Sequence, residues 1–227
     1  MGCVSTSRNR AKRTRRVRTK TPEHLVCDVC GQPISRGLGP QRFRVYIRPY
    51  DRPSTIINPH GEPADYTNYS PHIGNERLTL ANCAIFIRQV AKKGEWVMAL
   101  TSTEYGPVRK VSFIAHIDDV ICRRTYAESY DKARLDNHYN WDEGRFVNIP
   151  NGYHFDPKEI EQDQSCCRVL LSRKFKAFGP NTGQELPAQR REILKHFRAK
   201  HAINQRVFDN EIGAILFDEL DGPTYHF

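Results

Sequence analysis

Apolar and polar positions change period several times along the chain, most clearly between residues 78 and 100. Leu78 and Leu80 flank Thr79 and read as the end of a strand. Ala84, Ile85, Ile87, Val90 and Ala91 then fall on or near one face at helical spacing, and Lys92, Lys93 and Gly94 supply a basic last turn and a stop. Trp96, Met98 and Leu100 alternate with Val97 and Ala99, a run apolar on both faces as a buried strand requires. After a turn at Glu104 to Pro107, Val111, Phe113 and Ala115 alternate with Ser112, Ile114 and His116 as a second strand beside the first. Upstream, Phe43, Val45 and Ile47 alternate with arginines and Tyr46 as the opening strand of this unit.

The flanks are less regular. Residues 49 to 76 form a long aperiodic connection rich in Pro, Asn, Gly, Ser and Tyr, whose Tyr66, Tyr69 and His72 either stack on a base or cover the domain. Asp118 to Tyr139 carries a charged helical pattern with Tyr126 and Tyr130 one turn apart, and Gly144 to Pro157 reads as a loop. Arg168 to Leu171 is a short buried strand leading to Ser172, and Phe175 and Phe178 before Gly179 and Pro180 mark a turn against the core. Pro187 opens a helix to about His201 with Ile193, Leu194 and Phe197 inward. Asn204 caps a last helix that buries Val207, Phe208, Ile212, Ile215 and Leu216. The expected fold class is α+β, a small, strongly curved mixed sheet or partial barrel packed by helices. The expected divisions are a basic arm at 1–22, a knuckle or linker at 23–41, the main domain at 42–187 and a helical extension at 188–227.

Charge changes this picture at one end. The chain carries a formal net charge of +9, and Arg8, Arg10, Lys12, Arg13, Arg15, Arg16, Arg18 and Lys20 supply most of it with no acid among them. Such an arm cannot bury a core and binds phosphates without reading sequence. Gly2 and Cys3, with Thr6, also fit an acylation pattern, so a lipid-anchored basic adaptor is an alternative if Gly2 is acylated. No apolar run approaches the about 20 residues of a membrane span, and no apolar stretch resembles a secretory leader. The expected location is the cytoplasm, the host's if the source is viral. A nucleus or a membrane surface is the alternative in a eukaryote.

Seven cysteines without regular spacing fit free thiols better than a disulfide framework. Cys27 and Cys30 in Cys-Asp-Val-Cys-Gly have the spacing of a zinc knuckle, in which the glycine lets the turn fold back on a structural metal. His24, His60, His72 and Cys83 are the expected completing ligands, while Cys166 and Cys167 are adjacent and poorly placed to chelate one ion together.

Three blocks then carry a resemblance: LTLANCAIFIRQVAKKGEWVMAL at 78–100, LDNHY at 135–139 and VLLSRKFKAFG at 169–179. Together they resemble the nucleotide modification associated domain family of bacteriophage and bacterial systems that hypermodify DNA bases. The matching positions in the first block are Leu80, Ala81, Cys83, Ile87, Arg88, Ala91, Gly94, Trp96 and Val97. The family's Asp after the glycine is Glu95 here, its Lys-Pro after the cysteine is Ala84-Ile85, and its last Asp is Lys174. The order of helix, Lys-Lys-Gly-Glu turn and buried strand is also similar to small β-barrel modules that read modified bases.

The resemblance implies a component of a base-modification system that binds a modified or flipped nucleotide, with nucleic acid or nucleotide and other modification enzymes as partners. Arg88, Trp96, Asn137, Tyr139 and Ser172 are the expected nucleotide-binding residues, because a flipped base needs an apolar slot and a few groups that read its edge. The alternative is an enzyme with Cys83 as nucleophile and His138 or Asp136 handling the proton. Whether the chain is catalytic stays open at this level.

Overall fold

The structure, a computed structural model, describes residues 25–34, 39–47, 72–73, 77–82, 84–101, 108–130, 136–137, 139–149, 157–178, 183–197, 205–222 and 224–226. In chain order the elements are β1 (Leu25–Val26), β2 (Pro33–Ile34), β3 (Arg42–Ile47), β4 (His72–Ile73), β5 (Leu78–Leu80), α1 (Ile85–Val90) and β6 (Trp96–Leu100). There follow β7 (Val111–His116), β8 (Asp119–Cys122), α2 (Arg123–Ser129), β9 (Tyr139–Asp142), β10 (Arg145–Asn148), α3 (Pro157–Gln164), β11 (Arg168–Ser172) and β12 (Lys174–Ala177). A 3-10 helix (Ala188–His196), β13 (Arg206–Asp209), α4 (Asn210–Glu219) and β14 (Thr224–His226) complete the fold. It is α+β with several sheets, none of them closed into a barrel.

A six-stranded sheet runs in the order β13-β3-β6-β7-β12-β14, and a four-stranded sheet in the order β4-β5-β11-β8. Among the described residues only β3 and β6 pair in parallel, so the larger sheet is mixed. Two chain segments serve both sheets. Strand β7 passes through Ile117 and Asp118 into β8, while its partner passes from β11 through Arg173 into β12. At that crossing the Asp118 amide donates to Leu171 O (2.9 Å), and the Arg173 amide donates to the Asp118 carboxylate.

The two apolar faces of β6 explain its sequence. Val97 and Ala99 face the smaller sheet, packing with Tyr46, Phe113, Phe175, Leu78, Leu80 and Leu170. Trp96, Met98 and Leu100 face the other way, against Leu216, Phe217 and Leu220 at the end of α4. Each valine, leucine, methionine or phenylalanine among them contributes about 1.5–3 kcal/mol by leaving water. Gly213 lets α4 come this close, since a Cβ there would sit 2.4 Å from the Cβ of Trp96.

Four local expectations are corrected. The segment after Asp118 is first a strand, β8, held by β11, and becomes helical only at Arg123. The loop expected from Gly144 is half of a hairpin, β9–β10, followed by α3. The helix from Pro187 is a 3-10 helix ending at His196. In the last segment Val207 is on the edge strand β13, not on a helix, and is exposed, as is Ile215 on the outer side of α4. Asn204, the basic arm and most of the 49–76 connection lie outside the described residues.

Candidate metal centre and the motif residues

The knuckle forms as its sequence requires. Gly31 takes φ +71, its amide donates to Cys27 O (2.8 Å), and the Cys27 amide donates to Gln32 O (2.8 Å). Left-handed backbone of this kind suits glycine. The turn aims Cys27 and Cys30 at two thiols of the main domain: the sulfurs of Cys27, Cys30, Cys122 and Cys167 all lie within 4.8 Å of one another.

Strand pairing brings the second pair together. Arg168 on β11 faces Cys122 on β8, so Cys167 lies beside Cys122 at the end of the ladder. The Arg123 amide donates to Cys167 O (2.5 Å), and the Arg124 amide donates to Cys122 Sγ (3.4 Å). Around the thiols pack Tyr139, Trp141, Phe146, Ile34 and Ile160.

Among the described residues, the thiols that complete a four-sulfur cluster with Cys27 and Cys30 are those of Cys122 and Cys167. Of the expected completing residues, His24, His60 and Cys83 lie outside the described residues, as does the side chain of His72. Cys166 is buried but stands outside the cluster, so the adjacent cysteines do not chelate together. No spacing rule points to Cys122 or Cys167, because it is the β8–β11 register that joins them.

The thiols share protons. A hydrogen bond from Cys167 holds Cys122 down to about 5, whereas Cys167 itself is pushed up, first by that bond and then by burial. Burial pushes Cys30 up to about 12. One thiolate thus forms readily at Cys122, stabilised by its neighbours.

Beside the cysteines lies a cationic interior. Arg88 and Arg123 are both buried. Arg88 donates to Cys166 O (3.2 Å), Arg168 O (3.0 Å) and Asp163 Oδ1 (3.4 Å). Arg123 donates to Ala81 O and lies over the rings of Tyr139 (4.7 Å) and Phe146 (5.7 Å), while its Nε and Nη1 have no acceptor among the described residues. Burial, then repulsion from Arg88, lowers the affinity of Arg123 for its proton.

The other motif residues are spread over several cores. Trp96 packs on Phe217 (5.0 Å between rings) and His116 (5.1 Å), with the Lys174 ammonium 5.3 Å from its centroid. Asn210 brackets it, accepting from the Trp96 amide (3.1 Å) and donating to Gly94 O (2.8 Å). Ser172 donates to Lys174 O (2.9 Å) and Asn137 to Tyr130 O (3.0 Å). Of the five expected nucleotide-binding residues, Arg88 and Tyr139 meet around Arg123; Trp96 belongs to the α4 core. The Asp136 carboxylate accepts from Tyr126 OH (2.5 Å) and from Thr79 Oγ1. Cys83 and His138 lie outside the described residues.

An open cleft of about 530 Å³ runs along α2 and the β9–β10 hairpin, lined by Ala127, Glu128, Asn140, Trp141, Asp142 and Val147. Arg124 joins it to the knuckle: its guanidinium lies 5.4 Å from the Trp141 ring centroid and donates to Val29 O (3.3 Å).

No family model, curated protein or solved structure matches the chain.

Among the described residues no helix is long and apolar enough to cross a membrane.

Proposed function

We propose that the chain is a zinc-stapled binding module of a nucleic-acid base-modification system, engaging a modified or flipped nucleotide without transforming it. The observation that carries this reading is the four-cysteine cluster, which joins the Cys27–Cys30 turn, next in sequence after the basic arm, to Cys122 and Cys167 of the domain. An all-sulfur donor set suits zinc in a closed, structural site. Zinc–sulfur bonds of about 2.3 Å space tetrahedral sulfurs about 3.8 Å apart, so ligands within 4.8 Å need to draw in only slightly.

The arm supplies affinity for phosphates, and the knuckle that follows it in sequence lies beside the cleft. There Trp141 offers a stacking face and Asn140 an amide that pairs with a base edge. The buried positions of Trp96 and Asn137 favour this outer cleft over the slot expected from the three blocks. Asp136, engaged by Thr79 and Tyr126, is better suited to holding the core than to moving a substrate proton. The likeness to small base-reading modules belongs to the same proposal.

The test is binding to plain and base-modified oligonucleotides at two salt concentrations, by the full chain, by a chain lacking residues 1–20 and by Trp141→Ala. Preference for one modified base should survive removal of the arm and change little with salt, and Trp141→Ala should abolish it. Loss of all binding with the arm would leave only a nonspecific electrostatic tail and overturn the proposal.

A further inference from the structure

Arg88 and Arg123 place two guanidiniums in one interior, and Asp163 is the carboxylate that both feel. A buried cation without its counter-charge costs several kcal/mol. The four-cysteine cluster lies on the same chain segments. Arg123 and Arg124 follow Cys122 directly, and Arg168 follows Cys167. A divalent cation held by four thiolates is a dianion, of the sign this interior needs.

Geometry adds to charge. The Arg88 guanidinium donates to the carbonyls of Cys166 and Arg168, the two residues on either side of Cys167. Both bonds leave one nitrogen, Nη1, while Nη2 donates to Asp163 Oδ1 (3.4 Å), so the planar guanidinium ties the backbone on either side of that ligand to a carboxylate, a spread that a point-like lysine ammonium does not cover. Arg123 holds the same segment from its backbone, donating to Cys167 O, and carries its charge beside the aromatic wall of the cluster.

We infer that Arg88 and Arg123 are positioning and charge-balancing residues of a four-cysteine zinc centre, with Arg88 fixing Cys167 and Arg123 compensating the tetrathiolate charge. The inference rests on the zinc reading. It gives the arginine of the first sequence block a role inside the fold instead of at a nucleotide.

The experiment measures zinc affinity of the full chain by competition with a chromophoric chelator, and the zinc-induced rise in thermal midpoint. The set is the parent, Arg88→Lys, Arg88→Met, Arg123→Lys, Arg123→Met and the remote control Arg190→Met. Loss of outer partners of a metal ligand weakens binding by about 10–100-fold. Both methionine variants and Arg88→Lys should fall in that range with a smaller zinc-induced rise, while Arg123→Lys, keeping the charge, stays within about threefold. The cobalt(II) spectrum of Arg88→Lys should also depart from the parent's, reporting a displaced thiolate.

Zinc uptake with parental affinity in every variant would overturn this inference and leave the zinc reading standing. A parent chain that takes up no zinc would overturn both. Should a methionine variant fail to fold, the lysine variants decide: equal losses in Arg88→Lys and Arg123→Lys would refute the division into geometry and charge.

Discussion

Replacing Glu95 by Gln tests how the Gly-Glu-Trp turn is held. The Glu95 carboxylate has no exposure to solvent, and each of its oxygens accepts two hydrogen bonds. Oε2 takes Arg44 Nε (2.6 Å) and the Lys92 amide (3.1 Å); Oε1 takes Arg44 Nη2 (3.1 Å) and the Arg42 amide (3.1 Å). A glutamine keeps one oxygen and sets an NH2 against two donors, leaving buried Arg44 without a counter-charge. Breaking one partner of a buried pair costs about 3–5 kcal/mol. Urea unfolding of zinc-loaded Glu95→Gln should show a loss in that range at an unchanged m-value. In a cycle with Arg44→Met the two changes should couple by about 1–3 kcal/mol, since each removes the same interaction. A single-variant loss below about 1 kcal/mol, or additivity in the cycle, would show that water solvates this pair and refute the reasoning.

Two further outcomes follow from the cysteines. Cys167→Ala should lose bound zinc while Cys166→Ala retains one equivalent, measured by atomic emission on the purified chains; equal retention would break the assigned ligand set. In the zinc-free chain, Cys122 sits at about 5 against an ordinary 9.0, so its contribution to stability is full above pH 9 and is lost as pH falls toward 5. Cys30 and Cys167, pushed up, act oppositely and lose their contribution above pH 9. The urea midpoint of zinc-free protein should therefore rise from pH 5.5 to 8.5, taken as about the bounds of that window. A slope that persists unchanged in Cys122→Ser would refute the assignment.

Strands whose own pattern decides their place were legible in the sequence. The alternation of β3, the double apolar face of β6 and the pairing of β7 needed no partner to be read. Strand β8 was hidden because Asp118 and Asp119 look like the start of a helix, and only pairing with β11 makes Asp-Val-Ile-Cys extended. The β9–β10 hairpin did carry a signal. Glu143 and Gly144 both take positive φ (45 and 83), and a two-residue turn ending in glycine between Trp141 and Phe146 is a hairpin pattern. Half of the candidate metal centre was visible as Cys27 and Cys30, while Cys122 and Cys167 depend on long-range register. Arg88 drew notice through its sequence block, yet nothing local distinguishes an arginine that clamps two carbonyls from one that meets a ligand.

The dispersal of the four cysteines along the chain bears on the order of events during synthesis. A self-contained zinc finger gathers its ligands within one short stretch, so a nascent chain can capture metal early and fold around it. Here Cys27 and Cys30 leave the ribosome long before Cys167, and Cys167 reaches Cys122 only once β8 and β11 have paired. On the zinc reading proposed above, metal capture would therefore be a late step that reports completed assembly of the smaller sheet. Until then the knuckle would be a two-thiol turn, open to oxidation or to competing metals, and it would close only after the domain behind it had formed.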